Sequence, residues 1–169
     1  GRRNLEPPRD LRGRLRWQHR QFLDYNWQLT TEVSYLSDEH FLEGFYRNEF
    51  NVSKEQETLV HLKRIEDNWG LSVLGKARIN DFVNELEELP SVEHHLTGQS
   101  FWGDRLTFYS DSQVSRFRER PASGTSSESE RFFSFLSERA EVDMPIAVGR
   151  MKVVPFVAGT AAYEDGKGF

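Results

Sequence analysis

A strict two-residue rhythm, repeated along the chain and broken by connections of alternating length, constrains this sequence more than anything else in it. Trp27, Leu29, Thr31, Val33 and Tyr35 alternate with Gln28, Thr30, Glu32 and Ser34. Polar residues on one parity only are the mark of a strand with one wet and one oily side. Upstream, Leu15, Trp17 and His19 alternate with Arg14, Arg16 and Gln18, and Asp24-Tyr25-Asn26 turns the chain between the two runs. Further strands are expected at about 57–64, 69–78, 92–99, 106–117, 133–144 and 152–163. Strands three, six and eight carry apolar residues on both parities, so their faces stay open.

The connections after strands one, three, five and seven read as short, and those after two, four and six as long: Ser37–Glu55, Asn80–Pro90 and Arg118–Arg131. A soluble sandwich has no reason to sort its loops this way. An up-and-down barrel in an outer membrane does, with tight periplasmic turns on one rim and long external loops on the other. The expected fold is therefore all-β: an antiparallel meander of about eight strands, forming part of a large outer-membrane β-barrel.

Strand length agrees. Trp27 and Tyr35 share a face, and at about 3.3 Å per residue they lie roughly 26 Å apart. A tilt of about 40° projects this to roughly 20 Å, near the apolar band of about 25 Å in such barrels. Trp27, Tyr35 and Trp69 are then expected at the lipid interfaces, ring in lipid and polar tip among headgroups. Asn26-Trp27 and Asn68-Trp69 repeat one local pattern and place two Trp at one rim. Gln28, Thr30, Glu32 and Ser34, with Ser72, Lys76 and Arg78, are the candidates for a polar inner wall.

Composition excludes other classes. With 22 Lys and Arg against 27 Asp and Glu, the net charge of −5 argues against a nucleic-acid partner. The 13 Phe, 5 Tyr and 4 Trp are too many for a disordered tail. Cysteine is absent, which removes disulfides, thiolate zinc sites and cysteine nucleophiles. No apolar run is long enough for a transmembrane helix.

Residues 1–12, with Glu6-Pro7-Pro8-Arg9, read as a linker or cut end, and 13–169 as one barrel segment. Both ends look like cuts through a longer protein. A segment cut from a barrel exposes two unpaired edges, near Arg14–Phe22 and Lys152–Tyr163, so it is expected to fold poorly alone in water.

The ordered series Trp17-Gln18-His19-Arg20, Asn26-Trp27-Gln28-Leu29 and Tyr35-Leu36-Ser37-Asp38-Glu39-His40-Phe41-Leu42 resembles the barrel domain of the LPS-assembly family LptD, also called the organic solvent tolerance family. Gln56-Glu57-Thr58, Asp67-Asn68-Trp69, Glu88-Leu89-Pro90-Ser91-Val92 and Met151-Lys152-Val153-Val154-Pro155-Phe156 fit the same series. The resemblance implies transport rather than catalysis. The whole protein would take lipopolysaccharide from a periplasmic transport bridge and place it in the outer leaflet of the outer membrane, with an LptE-like lipoprotein plugging the lumen. The family's periplasmic domain, lateral gate and Cys residues have no counterpart in this segment.

No catalytic, cofactor-binding or metal-binding residue is assigned. His94 and His95 are adjacent and point to opposite faces of a strand, so they cannot share an ion. Ser37, Asp38, Glu39 and His40 suit rim hydrolysis in principle, but are more simply the solvated start of a loop. Glu85, Glu87 and Glu88 read as a solvated loop run with an option on divalent cations. The Asn51-Val52-Ser53 triplet reads as chance, and Pro155 as a kink within strand eight. Two rival readings are a soluble all-β cup for a small ligand, and a complete small membrane barrel with enzyme activity at its rim.

Overall fold

The computed structural model describes residues 11–52, 56–124 and 130–166. Residues 1–10 of the linker expected over 1–12 lie outside them, as do Ser53 of the triplet and residues 125–129 of the last long loop.

Eight antiparallel strands make one sheet: β1 (Arg14–Phe22), β2 (Trp27–Leu36), β3 (Leu59–Glu66), β4 (Trp69–Lys76), β5 (Glu85–Phe101), β6 (Leu106–Arg120), β7 (Arg131–Asp143) and β10 (Phe156–Glu164). They lie in chain order, each hydrogen-bonded to the next, with β1 and β10 at the two edges. Two short helices, α1 (Phe41–Phe45) and α2 (Arg47–Val52), sit between β2 and β3, and β8 (Ile146–Val148) with β9 (Met151–Val153) forms a separate hairpin. Among the described residues, no helix is long and apolar enough to cross a membrane.

The sheet is open. Both edge strands are exposed along their whole length, so these strands do not close into an eight-stranded cup or ring. The one apolar cluster of buried residues among those described is small, Leu36, Phe41 and Leu42 against Phe82. This chain is a curtain rather than a cored domain.

Local chemistry sets the turns. Tyr25 and Asn26 both adopt φ 59°, and the Trp27 N–H reaches the Asp24 carbonyl; positive φ at both central positions is what a two-residue hairpin turn matched to strand twist requires. Pro90 falls inside the register shift between Glu88 and Ser91, where a missing ladder donor is tolerated.

Three expectations are corrected. Glu85, Glu87 and Glu88 are in β5, not a loop, and Arg118 and Arg120 extend β6 opposite them; carboxylates facing guanidiniums need no bulk water. The connection 144–155 is not tight, because it contains the β8–β9 hairpin, so the alternation of short and long links fails at its last member. Pro155 precedes β10 instead of interrupting it, and its carbonyl accepts the Met144 N–H at 2.9 Å, so it costs the ladder nothing.

Candidate functional site

Direct partners across an antiparallel ladder share a face, so the register decides what single strands left open. One row runs Leu29, Leu62, Val73, Val92, Val114 and Leu136, from β2 to β7, and ends at Tyr163 on β10. Not one polar side chain interrupts it before Tyr163. The row one residue over, on the opposite face, runs Gln28, Lys63, Ser72, Glu93, Gln113 and Ser137. The two-residue rhythm thus becomes an apolar face and a polar face shared by the sheet from β2 to β7.

The candidate inner-wall residues Gln28, Thr30, Glu32, Ser34, Ser72 and Lys76 all fall on the polar face. Arg78 departs from the expectation. It lies past the end of β4, and its guanidinium donates to the carbonyls of Val83 at 3.0 Å and Pro121 at 2.6 Å. It ties two long-loop segments together and does not line a strand.

Trp27, Tyr35 and Trp69 fall on the apolar face, as expected from parity. Arg64, on β3 between the two Trp, places its guanidinium carbon 5.7 Å from the Trp27 ring and 5.3 Å from the Trp69 ring, while pairing with Glu66. A planar cation between two indoles at the short-turn rim suits a boundary between oil and water. The apolar face is not uniformly dry: His94, Ser112 and Glu138 occupy the row of Trp27, Arg64 and Leu71, and the Ser112 hydroxyl donates to the Glu138 carboxylate. Sequence reading missed this group, because the mixed parity of β6 left its faces open.

The long connection between β2 and β3 bends over the polar face. Glu49 of α2 pairs with Arg14 at 2.8 Å and Arg16 at 3.4 Å, two polar-face residues of β1. Arg12 grips Asp38 through two hydrogen bonds of 2.8 and 2.6 Å. Ser37 Oγ and the His40 N–H also donate to that carboxylate. The Arg12 hydrogen bonds hold the Asp38 carboxyl below the usual carboxylate range against a smaller opposing effect of desolvation. Ser37 and Asp38 are therefore held in a structured turn, while Glu39 and His40 stay exposed as expected of a loop start, with His40 approaching Glu43.

Glu87 is the largest fully buried side chain among the described residues. It accepts from Arg118 Nε, from Arg120 at 3.4 Å and from the Arg78 N–H at 2.8 Å. Lys76 bridges Glu57 at 2.8 Å and Glu85 at 2.6 Å. These pairs lock the rim where β4, β5 and β6 meet the long loops. His94 and His95 point to different faces, His95 Nδ1 donating to the Asp111 carboxylate at 2.8 Å. Among the described residues, no three His, Asp or Glu converge as metal ligands do.

A family model described as "LptD: LPS transport system D" matches residues 10–153. No curated protein and no solved structure matched the chain.

Proposed function

The chain belongs to the LptD family of the lipopolysaccharide transport system, and on that premise we propose that it is a stretch of outer-membrane barrel wall. The apolar row from Leu29 to Leu136 carries the reading: it would face lipid, and the polar row from Gln28 to Ser137 would face a watery lumen. A lumen wide enough for sugar chains and an LptE-like plug needs such a wall, with both signs of charge, so that it is wet without selecting one ion. The intact protein would receive lipopolysaccharide from the periplasmic bridge and deliver it to the outer leaflet. No covalent step is part of this reading.

Two features support the placement. The open edges at β1 and β10 are where further strands of a larger barrel would pair, since an unpaired edge is otherwise a liability. The Trp27–Arg64–Trp69 stack stands at the short-turn rim, where an aromatic girdle belongs.

The test is made in the intact protein, in cells depleted of the native copy. Val73→Arg with Val114→Arg should abolish appearance of newly made lipopolysaccharide in the outer leaflet, while Ser72→Arg should leave it near normal. Undiminished delivery with both apolar-row positions charged would overturn the assignment of faces.

A further inference from the structure

The β8–β9 hairpin is not absorbed by the barrel-wall reading. It leaves the sheet at the short-turn rim and pairs only with itself, through Ile146–Val153, Ala147–Lys152 and Val148–Met151. Gly149, at φ 63°, takes the first central position of its turn, the one such turns give to a residue free to adopt positive φ. Its large side chains are open to the outside: Val148 is 51% and Met151 67% exposed, and Ile146 and Val153 resemble them. A hairpin of such composition standing in water would be an aggregation site.

Two further observations say what covers it. The first is charge: from Met144 to Tyr163 the chain has no Asp or Glu, and its charged residues are Arg150 and Lys152. Both are exposed, in a chain whose overall charge is −5. The second is continuity. At the hairpin's base a mainly apolar groove of about 270 Å³ runs between Leu106, Val142, Met144, Pro155, Phe156 and Val157, with Asp143, which accepts from the Tyr109 hydroxyl, as its one charged residue. Val142 and Val157 are direct partners on the apolar face, so that face leads directly into the groove.

We propose that the β8–β9 hairpin is a lipid-binding element for the leaflet on the short-turn side. Ile146, Val148, Met151 and Val153 enter the acyl boundary, and Arg150 and Lys152 meet the phosphates of anionic phospholipids. The groove receives the upper part of an acyl chain. Long cationic side chains beside apolar ones suit this depth, because their stems lie in oil while their heads reach the headgroups. The inference rests on the barrel-wall reading for its leaflet, and the experiment separates the two.

The intact protein is reconstituted in vesicles of phosphatidylethanolamine and phosphatidylglycerol, with a benzophenone photocrosslinking residue replacing Val148, Met151 or, as a wall control, Val73. Mass spectrometry reads the adducts. Lipid adducts are expected at all three positions. At Val148 and Met151 they should be enriched in phosphatidylglycerol, and that enrichment should fall about fivefold or more when Arg150→Gln and Lys152→Gln are combined. Lipid adducts at Val73 with none at Val148 and Met151, or with protein adducts there, would overturn the hairpin proposal and leave the wall standing. Loss of lipid adducts at Val73 would overturn the wall itself. Adducts at the hairpin indifferent to headgroup and to both substitutions would overturn the role of the cations.

Discussion

The side-chain oxygen of Asn80 lies 2.8 Å from the backbone nitrogen of Leu36, and the Asn80 amide donates to the Ser34 carbonyl at 3.0 Å. β2 outruns its neighbour here: its pairing with β3 ends at Glu32–Leu59. The last backbone groups of β2 would be orphans, buried under α1. Asn80 imitates the missing strand, and Thr58 Oγ1 accepts the Ser34 N–H at 3.2 Å in the same way.

Asn80→Ala removes both partners at once. A buried backbone group left unpaired costs about 1–3 kcal/mol, so a loss of roughly 2 kcal/mol is expected after partial relaxation. Urea unfolding of the intact protein in micelles, followed by the gel-mobility shift between folded and unfolded barrel, measures it. An unchanged midpoint would mean that water replaces the amide without cost.

Glu87→Ala strands the two guanidiniums that converge on it. Breaking a buried pair from one side costs about 3–5 kcal/mol. Arg118 and Arg120 each keep about a quarter of their side chain exposed, which lowers the expected loss to roughly 2 kcal/mol. Glu87→Gln keeps the acceptor for the Arg78 N–H and should lose less. The same unfolding assay ranks the two.

The Asp38–Arg12 clamp gives the loop over the polar face an acid-sensitive anchor. A carboxyl whose folded pKa is lowered adds stability above its unfolded value, near 3.9, and this is lost as pH falls through the lower folded value. Hydrogen exchange in the segment 37–52 should therefore be steady from neutral pH to about 5 and quicken below about 4, once corrected for intrinsic exchange. Asp38→Asn should show the quickened exchange already at neutral pH, with no further step on acidification.

Gly98 sits in the β5 bulge at φ 132°, and a Cβ there would stand 3.1 Å from the Tyr109 ring and 3.3 Å from Thr107. Gly98→Ala carries both the backbone penalty and the displacement of Tyr109, for an expected loss of about 1–3 kcal/mol. A matched change at Gly159, where nothing stands near, should be almost silent in the same assay.

Arg64→Ala should leave the fold intact while loosening the rim, since each indole contact is worth about 0.5–1 kcal/mol at an exposed site. Quenching of Trp27 and Trp69 by lipids brominated near the headgroup, read in a protein whose other Trp are changed to Phe, should weaken as the rings lose a fixed depth. Arg64→Lys should restore only part of it, because an ammonium cannot lie flat against two rings.

Much of this was legible in the chain as written. Trp27 to Tyr35 declares its two sides because strand alternation is local, and no knowledge of neighbours is needed to see that Gln28 and Thr30 share a side. The family likeness is carried in the same way, by residues read in order. The mixed parities of β3, β6 and the last strand defeated that reading, since one strand's pattern holds no information about which of its sides faces Leu29. Clustered charges misled it too: Glu85, Glu87 and Glu88 look solvated until Arg118 and Arg120 stand opposite.

Only the tertiary structure joined Leu29 to Leu136 in one apolar row, folded Glu49 back onto Arg14 and Arg16, and freed the β8–β9 hairpin from the sheet. The reason is physical. Alternation is written every two residues and survives any arrangement of the strands, whereas register, buried ion pairs and loop docking are contacts between residues far apart in the chain. They exist only after the backbone ladders have brought those residues side by side.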